Sequence, residues 1–234
     1  MIYKHDYTGT CWWCGNDAGT GEHKFKRTDL IKYFGRGPYQ GKGRIVRGIQ
    51  GKLRTIQGPN SDEAKFEKNL CAACNNAKSQ PFDRSYDRFI EFLHDHEEEI
   101  LAERKISFSD IYGADWQLDV VSLYRYFVKH ICCRLAEAGI QINPAVITFL
   151  NDEGPFQNLR ISFEIREDIV AMEKKNKEIG IDNGSFWLGD LMYMKSQSAG
   201  SMSEANSFLG FRWLRINYVY DNAITQLSQL VICV

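Results

Sequence analysis

Phe82, Tyr86, Phe89, Ile90 and Leu93 recur at the three- and four-residue spacing of one helical face. This predicts an amphipathic helix just after Pro81, with Asp83 as its candidate cap. The same period over Asp115–Glu137 aligns Val120, Leu123, Tyr124, Phe127, Ile131 and Leu135 and predicts a second, longer helix that Gly139 ends. Asn143-Pro144 predicts the start of a shorter one. After Asn151 the period shortens to two. Leu159–Ile165 alternates cleanly, and Ser185–Met194 and Phe208–Tyr220 also read as strands, the last long and aromatic. Ser196–Ser207, rich in Ser, Gly and Ala, reads as a mobile connector. Residues 81–234 therefore predict an α+β domain of helices and an antiparallel sheet, without an internal repeat or a recognisable catalytic set. His94, Asp95, His96 and Glu97–Glu99 read there as a solvated helix end.

The first 80 residues are patterned differently. Leu30–Phe34 reads as a short helix capped by Thr28 or Asp29 and ended by Gly35, followed by a glycine-rich basic loop through Gly43. That loop lacks the Gly-Lys-Ser/Thr of a phosphate-binding P-loop. Arg44–Ile56 is β-branched and basic with glycine breaks, which predicts a hairpin able to lie on a phosphate backbone.

Charge sharpens the division. Residues 1–80 carry 14 Lys and Arg against 7 Asp and Glu, a net of +7; since the whole chain is −1, residues 81–234 carry −8. Between Lys24 and Arg54 ten basic residues stand against Asp29 alone, interleaved with Phe25, Tyr33, Phe34 and Tyr39. A one-signed run with aromatics predicts nucleic-acid contact, with Lys24, Lys26, Arg27, Arg44, Arg47, Lys52 and Arg54 as candidate contacts. The acidic remainder is expected to act as scaffold or to meet a protein partner.

The chemistry begins with cysteine. Cys11-Trp12-Trp13-Cys14 and Cys71-Ala72-Ala73-Cys74 are two Cys-x-x-Cys pairs, each followed by a polar turn residue, Gly15 or Asn75. Paired knuckles aim four thiolates at one tetrahedral ion, and structural zinc is the expected occupant. The 56 residues between the pairs exceed what a compact zinc ribbon needs, so something sizeable is displayed between them. Trp12 and Trp13 read as core around the metal. Cys132, Cys133 and Cys233 read as small buried hydrophobes.

Cys-x-x-Cys-Gly, then Glu22-His23, then Asn69-Leu70-Cys71-x-x-Cys74-Asn75 with Lys78 three residues on, resembles the HNH endonucleases of the ββα-metal class over residues 8–80. The resemblance implies His23 as general base on the attacking water. It implies Glu22 and Asn75 as ligands of a catalytic Mg²⁺ or Mn²⁺, distinct from the zinc. It further implies Asn69 or Asn60 as the middle asparagine and Lys78 as a phosphate contact. Neighbouring strand residues point to opposite faces, so Glu22 and His23 need a local irregularity to address one phosphate.

The expected architecture is an N-terminal zinc-bound ββα-metal nuclease unit, 1–80, followed by an α+β domain of unassigned role, 81–234. The expected function is metal-dependent hydrolysis of phosphodiester bonds, with double-stranded DNA as the expected substrate; a further reading has the acidic half dock a partner and the nuclease act as an effector of bacterial defence or restriction. The alternative is a zinc module that binds nucleic acid without cutting it. No run of 18 apolar residues and no signal segment is present, which predicts a cytoplasmic protein without a membrane span.

Overall fold

The computed structural model describes residues 5–40, 45–49, 52–153, 159–180, 186–195 and 202–221. The helices are α1 (Arg27–Phe34), α2 (Gln80–Asp95), α3 (Glu97–Glu103), α4 (Phe108–Tyr112), α5 (Trp116–Glu137), α6 (Pro144–Leu150) and α7 (Glu167–Glu178). The strands are β1 (Ile45–Ile49), β2 (Lys52–Ile56), β3 (Leu159–Ile165), β4 (Phe186–Leu188), β5 (Met192–Lys195), β6 (Met202–Phe211) and β7 (Leu214–Asp221). The class is α+β, with β3 to β7 forming an antiparallel sheet ordered β3-β7-β6-β4 and β5 also pairing with β6. No helix among the described residues is long and apolar enough to cross a membrane.

The sheet is organised around α5. That helix is buried on nearly every side, from Val120 through Ala136. Its Tyr126 ring stacks on Tyr86 of α2 at 3.9 Å, while Phe127 meets Phe89 of α2, Phe163 of β3 and Tyr218 of β7. The sheet and α2 thus both pack on α5, and Phe89 of α2 also meets Phe163 of β3. Phe82, Tyr86, Phe89, Ile90 and Leu93 are all buried, as their spacing predicts. Residues of both 1–80 and 81–234 enter this one core, from Cys11 and Trp13 to Tyr218 and Tyr220.

Element boundaries follow local chemistry. Pro81 occupies the first turn of α2, where its missing N–H costs nothing. Asp83 lies within that helix and Ser79 precedes it, so Asp83 is not its cap. Asn143 caps α6, its side-chain oxygen accepting the Ala145 N–H at 2.9 Å. The basic hairpin forms as expected, β1 against β2, pairing Arg47 with Arg54.

Three sequence expectations are corrected. Phe208–Tyr220 is not one strand but the arms of the β6–β7 hairpin, and the connector expected over 196–207 already belongs to β6 from Met202. The two-residue turn is Arg212-Trp213, which lacks the glycine or asparagine that marks such turns. Arg212 takes a positive φ of 52°, and its guanidinium is tied to Glu97 and, at 3.1 Å, to Glu173 of α7. Those ties also place the partly buried Glu97 in a tertiary ion-pair cluster, while His94, Asp95, His96, Glu98 and Glu99 are exposed. Third, α7 interrupts the strands. Its sequence is mostly polar and its apolar face is narrow, with Ile169 the buried apolar residue.

In α1, Asp29 is buried inside the helix rather than capping it, and accepts the Tyr86 hydroxyl at 2.9 Å. Burial raises its carboxyl to about 7. A folded-state value above the unfolded one, about 3.9, means that Asp29 favours folding most at acid pH. That contribution is lost as pH rises through 7. Asp29→Asn keeps an acceptor for Tyr86 and removes the charge. Its unfolding free energy is expected to fall less than the parent's between pH 5 and 8, by roughly 2–3 kcal/mol. Denaturant melts across that range check this, and parallel pH profiles would refute it.

Candidate metal centre and active-site cleft

The Cys11–Cys14 segment folds as a tight turn. The Gly15 N–H donates to the Cys11 carbonyl at 2.9 Å, and Gly15 adopts φ 78°, which favours glycine. The second pair sits where the chain enters a π-helical segment, Ala73–Lys78. There the Cys74 N–H points at Cys71 Sγ, 3.4 Å away. All four sulfurs lie within 4.8 Å of one another, and Cys14 and Cys71 are 3.6 Å apart. A tetrahedron of 2.3 Å metal–sulfur bonds has edges of about 3.8 Å. The cluster can therefore hold a metal ion such as zinc. The Cys74 amide lowers the Cys71 thiol to about 7, while burial and the neighbouring sulfurs push Cys74 upward. Four crowded thiols become four thiolates only with a cation among them. Trp12 and Trp13 are buried beside them, Trp13 stacked on Phe82.

From this centre the chain runs into a short two-stranded ribbon. Thr20 bridges Leu70 and His23 bridges Lys65, and the Phe66 N–H donates to the Glu22 carbonyl at 2.8 Å. The two backbones approach so closely at Gly21 that a Cβ there would lie 2.3 Å from the Phe66 carbonyl oxygen. The ribbon then leads into Cys71 and α2, while α1 and the β1–β2 hairpin lie in the excursion between its two arms. It consists of isolated bridges rather than a regular ladder, so strict alternation of faces does not apply. Glu22, His23 and Asn75 line one cleft of about 710 Å³, together with Arg54, Lys65 and Asp83.

His23 is half-buried, and its Nε2 is 3.1 Å from the Pro59 carbonyl. A carbonyl only accepts, so Nε2 carries the proton and Nδ1 keeps a lone pair. Burial, and then the Lys65 charge, lower the His23 pKa and favour the neutral ring. The side-chain oxygen of Asn75 is buried with no hydrogen-bond partner. Such an orphan is costly in a protein interior and fits a position where a cation supplies the missing interaction.

Glu22 is buried, and its Oε2 lies 2.8 Å from Nζ of Lys129, which is itself buried in the middle of α5. Asp83 is the second carboxylate, 3.5 Å from the same ammonium. Sequence reasoning missed Lys129 and read Asp83 only as a helix cap. The available signal was a lysine followed by a histidine inside Tyr126–Cys133, where every other residue is apolar. His130 is structural, with Nε2 on the Lys24 carbonyl, and burial lowers it to about 3.

Of the expected nucleic-acid contacts, Lys24, Lys26, Arg27 and Arg54 line this same cleft. Arg27 and Arg54 are exposed at the cleft, Arg27 donating to Asn60 Oδ1 at 2.8 Å. Lys26 reaches Asp87 at 2.7 Å. Lys24 is buried, its ammonium on the Lys65 carbonyl and 3.8 Å from Glu137. Arg44 lies outside the described residues, as do the side chains of Arg47 and Lys52. Of the two candidate middle asparagines, Asn69 is buried and donates to the Cys133 carbonyl at 3.0 Å, whereas Asn60 follows the carbonyl that holds His23. Lys78 lies over the Trp13 ring and near Asn151, and is not part of the cleft lining.

Comparison of the chain with protein-family models, with curated proteins and with solved structures finds no match.

Proposed function

We propose that this protein is a divalent-metal-dependent endonuclease of the ββα-metal type, hydrolysing phosphodiester bonds in double-stranded DNA. The observation that carries the reading is the meeting of two groups in one cleft. One is a neutral histidine whose Nε2 is fixed by Pro59, and the other is the orphaned amide oxygen of Asn75.

In this reading zinc in the four-cysteine cluster is structural, since four thiolates leave no open coordination position for water. It fixes the ribbon to the start of α2 and so sets Glu22 and His23 against Asn75. His23 Nδ1 accepts a proton from water as that water attacks phosphorus, while the Pro59 carbonyl holds the ring and stabilises the charge it gains. Glu22 and Asn75 would hold Mg²⁺ or Mn²⁺, a hard cation suited to oxygen ligands that supplies charge stabilisation to the phosphate and its leaving oxygen. Arg27 and Arg54 at the rim attract the phosphate backbone, which makes binding sensitive to salt.

Supercoiled plasmid incubated with the zinc-loaded protein is expected to be nicked or linearised when Mg²⁺ or Mn²⁺ is added, and to stay intact with a chelator. Salt-sensitive binding with no cleavage in either cation would replace the nuclease by a zinc module that only binds nucleic acid.

A further inference from the structure

Lys129 is a buried charged group that the proposed chemistry leaves unused, and burying it is expensive. Its side chain is about 1% exposed, and its stem rises from the helix around which the core is built. A lysine so placed is tolerated only where its ammonium finds partners. Two of its polar partners, Glu22 and Asp83, line the cleft, and a third, Ser79, is buried behind them. Nζ lies 2.8 Å from Glu22 Oε2, 3.5 Å from Asp83 Oδ1, and donates to Ser79 Oγ at 3.2 Å. Ser79, also buried, passes the link on, because its hydroxyl donates to the Asn75 backbone carbonyl at 2.9 Å. The ammonium thus touches one proposed cation ligand directly and reaches the other through a single hydroxyl.

We infer that Lys129 is a positioning residue for the cation site: from α5 it fixes the Glu22 carboxylate by one oxygen and, through Ser79, the turn that presents Asn75. The inference rests on the reading of Glu22 and Asn75 as cation ligands. Gripping Oε2 leaves the lone pairs of the other oxygen as the ones that can face a cation. It also explains how a ribbon built of isolated bridges keeps its carboxylate oriented: the orientation comes from the central helix. The groups that orient metal ligands commonly set affinity by 10 to 100-fold.

The sign of the effect makes the idea testable. Removing a positive charge beside a cation site would by itself tighten cation binding, whereas releasing the ligand weakens it. Mn²⁺ titration of the zinc-loaded full chain, followed by the paramagnetic resonance of free Mn²⁺, separates the two. The parent is expected to bind one Mn²⁺ and Glu22→Gln to lose it. Lys129→Met, which also melts lower, should bind Mn²⁺ about 10 to 100-fold more weakly. Lys129→Arg keeps the charge, and with it the fold, but a guanidinium takes both carboxylate oxygens and should weaken binding about tenfold. If Lys129→Met does not fold, the arginine variant alone decides. Parental or tighter Mn²⁺ binding by either folded variant overturns the role of Lys129 and leaves the nuclease reading standing. A parent that binds no Mn²⁺ beyond its zinc overturns both.

Discussion

His23→Ala is expected to slow DNA cleavage by roughly 10² to 10⁴-fold, the usual contribution of a positioned general base. Its zinc content, melting temperature and DNA affinity should remain close to the parent's. The separation follows from where the imidazole sits. It is half-buried at the cleft wall, with one nitrogen on the Pro59 carbonyl, while the metal cluster and the shared core lie elsewhere. Truncation therefore removes one neutral hydrogen bond, a net loss of about 1 kcal/mol, whereas in the proposed mechanism cleavage loses the group that accepts the proton of the attacking water. Asn75→Ala should also cut slowly, but as a loss of cation affinity that excess Mn²⁺ partly restores. Single-turnover cleavage against Mn²⁺ concentration distinguishes them: the asparagine variant shifts the curve, and the histidine variant lowers its plateau. A folded, zinc-loaded His23→Ala protein that cuts at the parental rate would sink the mechanism.

Some of this architecture was legible because local and tertiary preferences agree. Asn143-Pro144 starts α6 because the asparagine caps it and the proline needs no donor, neither depending on distant residues. Leu159–Ile165 alternates because one face of β3 meets the core and the other does not. The misreadings share a physical origin: the deciding partner is far away in sequence. Nothing local marks Arg212-Trp213 as a turn, since the ties of Arg212 to Glu97 and Glu173 come from α7 and the start of α3. α7 hides its helical period because only a narrow face is buried. For the cleft, the resemblance pointed to Glu22, His23 and Asn75, and these three line a common cavity, whereas the four cysteines gather in a cluster of their own. Lys129 stayed invisible because a lysine on a helix ordinarily extends its head to water. What holds it inside is a pair of carboxylates 46 and 107 residues earlier in the chain.

The four-cysteine cluster shares its core with the rest of the chain, which sets what a metal held there would stabilise. Cys11, Cys71 and Cys74 belong to the same buried cluster as α2, α5 and the sheet, and Trp13 joins them by stacking on Phe82. The cysteine cluster is thus a corner of the main core. Losing the ion should release the ribbon first, because its bridges at Thr20 and His23 are few. The helices and sheet keep a larger apolar interior of their own.

Cys14→Ser should accordingly abolish stoichiometric zinc binding and lower stability more than any other change at an exposed position. Cys14 is the exposed member of the four, so its substitution removes no buried apolar surface. A serine hydroxyl is a poor zinc ligand at neutral pH, and the three sulfurs left behind lose the cation that allows them to ionise together. Structural zinc contributes an apparent 10–16 kcal/mol in small zinc-dependent modules, on the order of the 5–15 kcal/mol that holds a whole domain folded. Even a fraction of that is enough to unfold the ribbon. Metal analysis should find the bound zinc reduced from one equivalent to near none. Hydrogen exchange should show protection lost over residues 11–24 and 64–75 before it is lost in α5. Cys132→Ser is the control, since that thiol is buried in α5 away from the cluster: it should cost packing energy and retain zinc. A Cys14→Ser protein with a full equivalent of zinc and a parental melt would remove the four-thiolate centre, and with it the reason for the ribbon to meet α2 where it does.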